Sequence, residues 1–171
     1  MPRRAQDGSS VVTRATPCLP TTTSAKSGGG CGAARHPAAA MRNVVLDTHA
    51  CIYALVAPAK LGRAARRLLG EAERGRATVW IPAAVVIELI MLRELGRIQI
   101  GLSDLRAAME GAPALHFLPL DLRQLIEFSA IAAVRDPFDR LIVSAARAVD
   151  GVLASKDEAL QATGLVRTVW H

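Results

Sequence analysis

A chain of 171 residues, of which 51% are hydrophobic, has room for one ordinary domain with a sizeable core. Its three cysteines are an odd number without C-x-x-C spacing, which argues against a disulfide framework and against a zinc site. The longest apolar run, Trp80 to Leu92, is too short to cross a bilayer and contains Glu88. We therefore expect a cytoplasmic protein that does not enter membranes.

The formal net charge of +6 suits a nucleic-acid partner, but most of this charge lies in the first forty residues. That segment contains five basic side chains and one acid, whereas the remainder carries sixteen basic and fourteen acidic side chains. The basic character of the whole chain is therefore weak support for an RNA or DNA partner.

Residues 1–40 are rich in Gly, Pro, Ser, Thr and Ala and show no apolar period of a helix or strand. Such a composition cannot bury enough surface to offset chain entropy, so we predict a disordered tail. The tail superficially resembles an organelle transit peptide. Because Met41 is followed at once by a strand-like run, we prefer to interpret the tail as an over-called upstream extension and to place the domain at residues 41–171.

From Met41 onward, short apolar β-type runs alternate with longer helical stretches, which is typical of a parallel α/β sheet covered on both faces. Strands are predicted at Asn43–Leu46, Thr78–Ile81, Leu115–Leu118, Val152–Ala154 and Arg167–Val169. Helices are predicted at about 49–56, 61–74, 83–95, 103–111, 121–133, 138–149 and 156–161. The last four begin at recognisable capping residues: Ser103 with Asp104, Asp121, Asp136 before Pro137, and Ser155.

Asp47 directly follows the first predicted strand. In a parallel sheet, a carboxylate at this position lies at the carboxyl edge, where ligands bind. The alternative is that Asp47 or Thr48 simply caps the helix that follows.

Glu88 lies inside the segment Ile-Pro-Ala-Ala-Val-Val-Ile-Glu-Leu-Ile-Met-Leu, which we predict to be a helix that is apolar on every side and largely buried. A buried, unpaired carboxylate is costly, so Glu88 needs a metal ion, a cation or a proton. An ion pair with an arginine is the alternative to a metal, and we favour the metal because of the other acids.

Two later segments contain acids at predicted helix starts. In Asp136-Pro-Phe-Asp139, an N-cap at Asp136 with Asp139 at the third helical position accounts for both acids without any site. In Ser155-Lys-Asp157-Glu158, Ser155 and Glu158 form a capping-box pattern around Asp157. Each acid is ambiguous when it is considered alone.

Considered together, the acids predict a metal site. Asp47, Asp139 and Asp157 fall at junctions that a parallel sheet gathers at one edge, and the helix of Glu88 can project a side chain toward the same edge. An all-oxygen cluster without Cys or His at ligand spacing selects hard cations, Mg²⁺ or Mn²⁺. A divalent ion relieves the repulsion among the carboxylates, activates water and stabilises charge on a phosphodiester.

The basic residues around these acids are consistent with a polyanionic substrate. Outside the four acids and Asp136, the domain carries sixteen basic residues against nine acids. A solvated helix face is nevertheless the commoner explanation for the densest basic cluster, which consists of Arg63, Arg66, Arg67, Arg74 and Arg76.

Four short motifs, in this order and spacing, resemble the PIN-domain family and in particular the VapC-type toxins of bacterial toxin–antitoxin pairs. The motifs are Val-Val-Leu-Asp47-Thr48-His49, Val-Val-Ile-Glu88-Leu, Asp136-Pro-Phe-Asp139-Arg140-Leu-Ile-Val-Ser-Ala-Ala and Ser155-Lys156-Asp157. The resemblance covers nearly all of residues 41–171. It implies a three-layer α/β/α sandwich with a five-stranded parallel sheet, a Mg²⁺-dependent endoribonuclease, a homodimer, and a cognate antitoxin that covers the site.

The same resemblance assigns roles to individual residues. Asp47, Glu88 and Asp139 match the core catalytic and metal-binding acids, and Asp157 matches a more variable fourth acid. Asp136 is a candidate additional metal ligand. Thr48 and Ser155 match small polar positions that orient the site. His49 is not one of the acids, and we interpret it as a neighbour of the pocket.

Three other functions are considered. A phosphatase of the HAD class also places Asp after its first strand, but it usually has a second acid two residues later, where this chain has His49. A receiver-like signalling domain also clusters acids with Mg²⁺, and Lys156 could stand for its late lysine, but it has no place for Glu88. The non-enzyme alternative is a degenerate PIN module that only binds RNA or a protein partner, against which the presence of all four acids argues.

Overall fold

The structure is a computed structural model that describes residues 41–171. The predicted tail at 1–40, with Cys18 and Cys31, lies outside the described residues. In chain order the strands are β1 (Arg42–Leu46), β2 (Ala77–Pro82), β3 (Leu115–Leu118), β4 (Val152–Ala154) and β5 (Thr168–Val169).

Seven α-helices and one 3₁₀ turn, Pro58–Lys60, connect the strands within this range. None of these helices combines the length and the apolar character that crossing a membrane requires. The helices are α1 (Thr48–Val56), α2 (Arg63–Glu73), α3 (Ala83–Glu94), α4 (Leu102–Gly111), α5 (Leu122–Ala130), α6 (Pro137–Ala148) and α7 (Glu158–Ala162).

The five strands form one sheet in the order β3-β2-β1-β4-β5, and every neighbouring pair is parallel. Val44, Val45 and Leu46 in the central strand β1 are consecutive and all fully buried. Because successive side chains of a strand point to opposite faces, both faces of the sheet must be covered. The predicted three-layer α/β/α fold is confirmed, and each predicted strand agrees with the structure to within one residue at each end.

The strand order reverses direction at the centre of the sheet. The chain moves from β1 to β2 and β3 on one side, and then crosses to β4 and β5 on the other. The loops that follow β1 and β4 therefore diverge, and Asp47 and Ser155 begin these loops. Such a topological switch point is where parallel sheets bind ligands.

The predicted helices agree with the structure to within two residues at each end, except that α5 ends three residues early, and two of the differing ends have a clear physical cause. Helix α4 begins at Leu102 rather than at Ser103, because Gly101 is the N-cap and its N–H donates to the Asp104 carboxylate at 2.8 Å. Helix α5 ends at Ala130 rather than at about 133. Near this end, the Phe128 carbonyl accepts a hydrogen bond from Arg140 Nε at 2.8 Å. In both cases a side chain bonds a backbone group at the helix end, from within the same helix for Asp104 and from α6 for Arg140.

The prediction that α3 is largely buried was wrong for one face of the helix. Ile87 and Met91 are 47% and 44% exposed, and the buried residues of the helix are Ala84, Val85 and Leu89. The helix packs one side against β2, α1 and α6 and turns other apolar residues outward. Apolar composition on all sides therefore reflects an exposed apolar surface rather than complete burial.

The arginine-rich segment forms the outer face of α2. Ala65, Leu68 and Ala72 face the core. Arg63, Arg66 and Arg67 are exposed, as are Arg74 and Arg76 just beyond the helix. This arrangement agrees with a solvated helix face.

The segment after β5 packs against the start of α2. The backbone N–H of Ala64 donates to the Trp170 carbonyl at 3.2 Å. A Cβ atom on Gly62 would lie 1.7 Å from that same carbonyl oxygen. Only glycine permits this close approach.

We expect Gly62→Ala to lower the free energy of unfolding by roughly 1–3 kcal/mol, because the added methyl group forces α2 and Trp170 apart. Urea denaturation of the full chain measures the change. Gly70→Ala is the matched control: it lies inside α2, its added Cβ would meet only the Arg74 guanidinium at 3.6 Å, and it should gain about 0.5–1 kcal/mol. Equal stabilities of the two variants would contradict the proposed contact.

Candidate active site

The five acids singled out in the sequence line one cavity at the carboxyl edge of the sheet. Its volume is about 340 Å³. The lining residues are Asp47, Thr48, His49, Glu88, Asp136, Asp139, Ile142, Lys156 and Asp157. The structure thus brings together residues from the loops after β1 and β4, from the middle of α3 and from the start of α6.

Asp47 both caps a helix and faces the cavity. Its Oδ1 accepts a hydrogen bond from the His49 N–H at 2.6 Å at the start of α1. Its Oδ2 accepts one from the Ser155 hydroxyl, and the residue is only 6% exposed. The sequence offered two alternatives for Asp47, a helix cap and a carboxylate at the ligand-binding edge of the sheet. In the structure, Asp47 both caps α1 and lines the cavity.

Ser155 is not the cap that the sequence predicted. The N-cap of α7 is Asp157, whose Oδ1 accepts from the N–H groups of Ala159 and Leu160 at 2.7 and 3.1 Å. Ser155 is fully buried and donates its hydroxyl proton to Asp47 instead. The same hydroxyl accepts a hydrogen bond from the Asp157 N–H at 3.0 Å, so it bonds the backbone just before the helix begins and leaves the cap of α7 to Asp157.

Glu88 is half-buried rather than largely buried, and its Oε2 accepts a hydrogen bond from the Thr48 hydroxyl. Within residues 41–171, the alternative of a buried pair between Glu88 and an arginine is not observed. Among residues 41–171 the salt bridges are Arg42–Glu71, Arg106–Glu110 and Arg147–Glu127, none of which involves an acid of the cavity.

Asp136 and Asp139 lie at the start of α6. Asp136 is the N-cap, as predicted, and its Oδ1 accepts from the N–H groups of Phe138 and Asp139 at 2.9 and 3.0 Å. The Asp139 side chain accepts no hydrogen bond within the described part of the chain. Its carboxylate is therefore available to a ligand.

Asp139 is partly buried and has like charges around it. Burial, followed by the negative charges of Asp136, Asp157, Glu88 and Asp47, raises the pKa of Asp139 from 3.8 to about 6. The carboxylates are therefore close enough to repel one another, and a bound cation would favour the ionised form again.

The residues fit a hard divalent cation by chemistry and charge. The donors are carboxylate and hydroxyl oxygens, and one cationic side chain, Lys156, stands among the lining residues. Within residues 41–171, the present positions of the side chains do not bring three His, Cys, Asp or Glu groups close enough together to hold an ion. The nearby thiol of Cys51 is no donor, because burial and then the charge of Asp47 raise its pKa to about 12.

The sequence did not identify two residues of the lining, Ile142 and Lys156, as part of the site. Ile142 is buried in α6, one turn beyond Asp139, a position that an apolar helix pattern cannot distinguish from ordinary core. Lys156 is exposed and lies between Ser155 and Asp157. Its position between two predicted site residues was the signal that could have placed it in the site. His49 lines the cavity, as expected for a neighbour of the pocket.

Comparisons with known proteins agree with this fold. The family model of the PIN domain matches residues 44–165. No curated protein matches the chain by sequence.

Solved structures of three complexes share the fold. VapBC2 from Rickettsia felis, bound to a DNA fragment from its promoter, is 15% identical with a TM-score of 0.57, covering 75% of this chain and 99% of that chain. DNA-bound VapBC from Salmonella typhimurium is 19% identical with a TM-score of 0.56, covering 75% and 98%. FitAcB from Neisseria gonorrhoeae is 18% identical with a TM-score of 0.51, covering 73% and 95%.

We expect Asp139→Asn to raise the free energy of unfolding in EDTA by about 1 kcal/mol, because the substitution relieves repulsion among the carboxylates. The control Glu158→Gln removes an exposed acid outside the cavity and should change stability by less than about 0.5 kcal/mol. Urea denaturation measures both. Added Mg²⁺ should stabilise the wild type more than Asp139→Asn, and an equal effect on the two would argue against an ion at this cavity.

Proposed function

The chain belongs to the PIN-domain family, and from this premise we propose that it is a Mg²⁺-dependent endoribonuclease that hydrolyses phosphodiester bonds in RNA. PIN domains are generally nucleases that use divalent metal ions. The observation that carries the proposal is the convergence of five carboxylates on one cavity without an arginine or lysine salt bridge to any of them in residues 41–171. Such an arrangement costs stability, and a cation-dependent reaction explains why it is present.

Asp47, Glu88, Asp139 and Asp157 would hold the ion, with Asp136 as an additional ligand. When bound there, Mg²⁺ or Mn²⁺ would supply an activated water and would neutralise charge on the phosphodiester. The matching oxygen chemistry of the lining supports this assignment.

The protein itself fixes the carboxylates before any ligand binds. The hydroxyl of Ser155 orients Asp47 and the hydroxyl of Thr48 orients Glu88. In metal sites, the carboxylates that bind the ion are commonly held in place by hydrogen bonds of this kind. In other proteins, loss of such a bond lowers metal affinity or activity by roughly 10- to 100-fold. Thr48 and Ser155 are therefore positioning residues.

Helix N-termini hold two more acids. Asp136 and Asp157 each use Oδ1 to bond backbone N–H groups of α6 and α7. The bonds fix the plane of each carboxylate and leave Oδ2 for the cavity. The positive ends of the two helix dipoles also partly offset the negative charge of the cluster.

We further propose that the protein is the toxin of a toxin–antitoxin pair, with a cognate antitoxin and a second copy of the chain as partners. The shared fold with VapBC complexes supports this role. Exposed apolar side chains on two helices supply surface for protein partners, since such surface is unfavourable in water. They are Ile87 and Met91 of α3, and Leu122, Leu125 and Ile126 of α5.

For the nuclease, we expect the wild type to cleave RNA with Mg²⁺, and Asp47→Asn to be slower by about 100-fold or more. The control Glu158→Gln should retain wild-type activity, and EDTA should abolish cleavage. Product formation on labelled RNA measures these rates. Equal cleavage by wild type and Asp47→Asn, or cleavage in EDTA, would refute the mechanism; RNA binding without cleavage would favour the non-catalytic alternative.

For the toxin role, we expect expression of the wild type to arrest bacterial growth and expression of Asp47→Asn to be harmless, because the arrest requires RNA cleavage. Co-expression of the adjacent reading frame, if it encodes a small DNA-binding protein, should restore growth. Colony counts after induction measure both effects. Normal growth with an active wild-type nuclease would remove the toxin role and leave the nuclease.

A further inference from the structure

An aromatic and cationic surface adjoins the acidic cavity. We call it the shelf, and it consists of His49, Tyr53, Lys60, Lys156 and Trp170. Its centre is the ring of Tyr53, whose centroid lies 6.3 Å from that of His49 and 6.2 Å from that of Trp170.

Two lysines complete the shelf. Lys156 Nζ lies 5.4 Å from the Tyr53 ring centroid and donates to the Tyr53 hydroxyl at 3.2 Å. Lys60 Nζ lies 6.0 Å from the same centroid. Both ammonium groups are exposed, so the cation–π contacts are weak and the flexible stems allow another group to take the ring face.

The shelf is continuous with the cavity rather than separate from it. His49 and Lys156 line the cavity, and both also contact Tyr53. His49 and Tyr53 are four residues apart on α1, so they share one face of the helix. A ligand in the cavity would therefore extend onto the shelf without a gap.

A purely structural role explains only part of the shelf. Trp170 packs against Gly62 and is fixed by the Ala64 hydrogen bond, so it anchors the chain after β5. Tyr53 is half-buried, and its hydroxyl meets an exposed lysine rather than a core group. His49 is exposed beside it.

The charges also point to an anionic polymer. The cavity holds five carboxylates, which repel a phosphate backbone, and Lys156 is the cationic side chain on its wall. Lys60 extends the positive charge away from the cavity across the Tyr53 ring. Aromatic rings interleaved with cations are the means by which proteins bind single-stranded nucleic acid, because bases stack and phosphates pair with the cations.

We propose that the shelf binds the nucleotide of single-stranded RNA that lies next to the phosphodiester being cut, with its base stacked on Tyr53 and its phosphate paired with Lys156. The inference rests on the proposed ribonuclease function and adds to it a nucleotide subsite built from Tyr53 and Lys156 of this chain. A duplex cannot offer the face of a base to the ring, so the shelf selects for unpaired segments.

The test measures RNA affinity separately from cleavage. A labelled pool of short single-stranded RNA of random sequence is titrated with the full chain in EDTA at low salt, with fluorescence anisotropy as the readout. Stacking of one base is worth about 1–3 kcal/mol, so Tyr53→Leu should raise the dissociation constant by about 5- to 150-fold. Tyr53→Phe keeps the ring and should bind within about threefold of the wild type.

Phe117→Leu is the matched control, since it removes an exposed aromatic ring from β3 at the far edge of the sheet. Its affinity should equal that of the wild type. Urea denaturation of each variant verifies folding, and gels verify that the RNA stays intact. Lys156→Gln should weaken binding and reduce its dependence on salt concentration, as loss of a phosphate contact does.

Two results would overturn the proposal: wild-type affinity in a folded Tyr53→Leu variant, or equal loss of affinity in Tyr53→Phe and Tyr53→Leu. A shelf used for protein docking would give the first of these. The outcome is separable from that of the nuclease. Cleavage by the wild type with unchanged binding by Tyr53→Leu refutes the shelf alone, whereas ring-dependent binding without any Mg²⁺-dependent cleavage refutes the nuclease and leaves the RNA site.

Discussion

Repulsion among carboxylates at the switch point of the sheet is the constraint on which the rest of the site depends. Asp47 and Ser155 begin loops that diverge from adjacent strands, and the other acids close the space between those loops. Burial and then the neighbouring negative charges raise the pKa of Asp139, so ionisation of this acid within the cluster is unfavourable in the protein alone. A fold under no functional demand would separate these charges or pair them with arginines, of which the domain has many.

The protein tolerates this crowding by dividing the work between the two oxygens of a carboxylate. Asp136 and Asp157 each give one oxygen to the backbone of a helix start. Asp47 gives one oxygen to a helix start and the other to a buried serine. A carboxylate that caps a helix through one oxygen therefore keeps its other oxygen for a second partner. A capping motif in a sequence is accordingly no argument against a metal-binding role for the same acid.

This division also explains what the sequence could and could not predict. Buried parallel strands are continuous apolar runs, so their positions followed directly from composition. The role of Ser155 did not, because its partner Asp47 is 108 residues away and the local Ser-x-x-Glu pattern offered a plausible partner nearby. The half-exposed position of Glu88 was missed for a related reason, since an exposed apolar helix surface has the same composition as a buried one.

The shelf was beyond sequence reasoning because Tyr53 and Trp170 meet only through the folded sheet. Ser155 N–H donates to the Val169 carbonyl at 3.3 Å in the pairing of β4 with β5, and Trp170 follows immediately. One ladder therefore positions both the serine that orients Asp47 and the ring that supports Tyr53. Because Ser155 follows β4 and Trp170 follows β5, and these two short strands pair with each other, displacement of Trp170 would be transmitted to the Asp47 carboxylate as well as to the shelf. The geometry of the acidic cavity and the surface beside it are thus set by the same backbone hydrogen bonds.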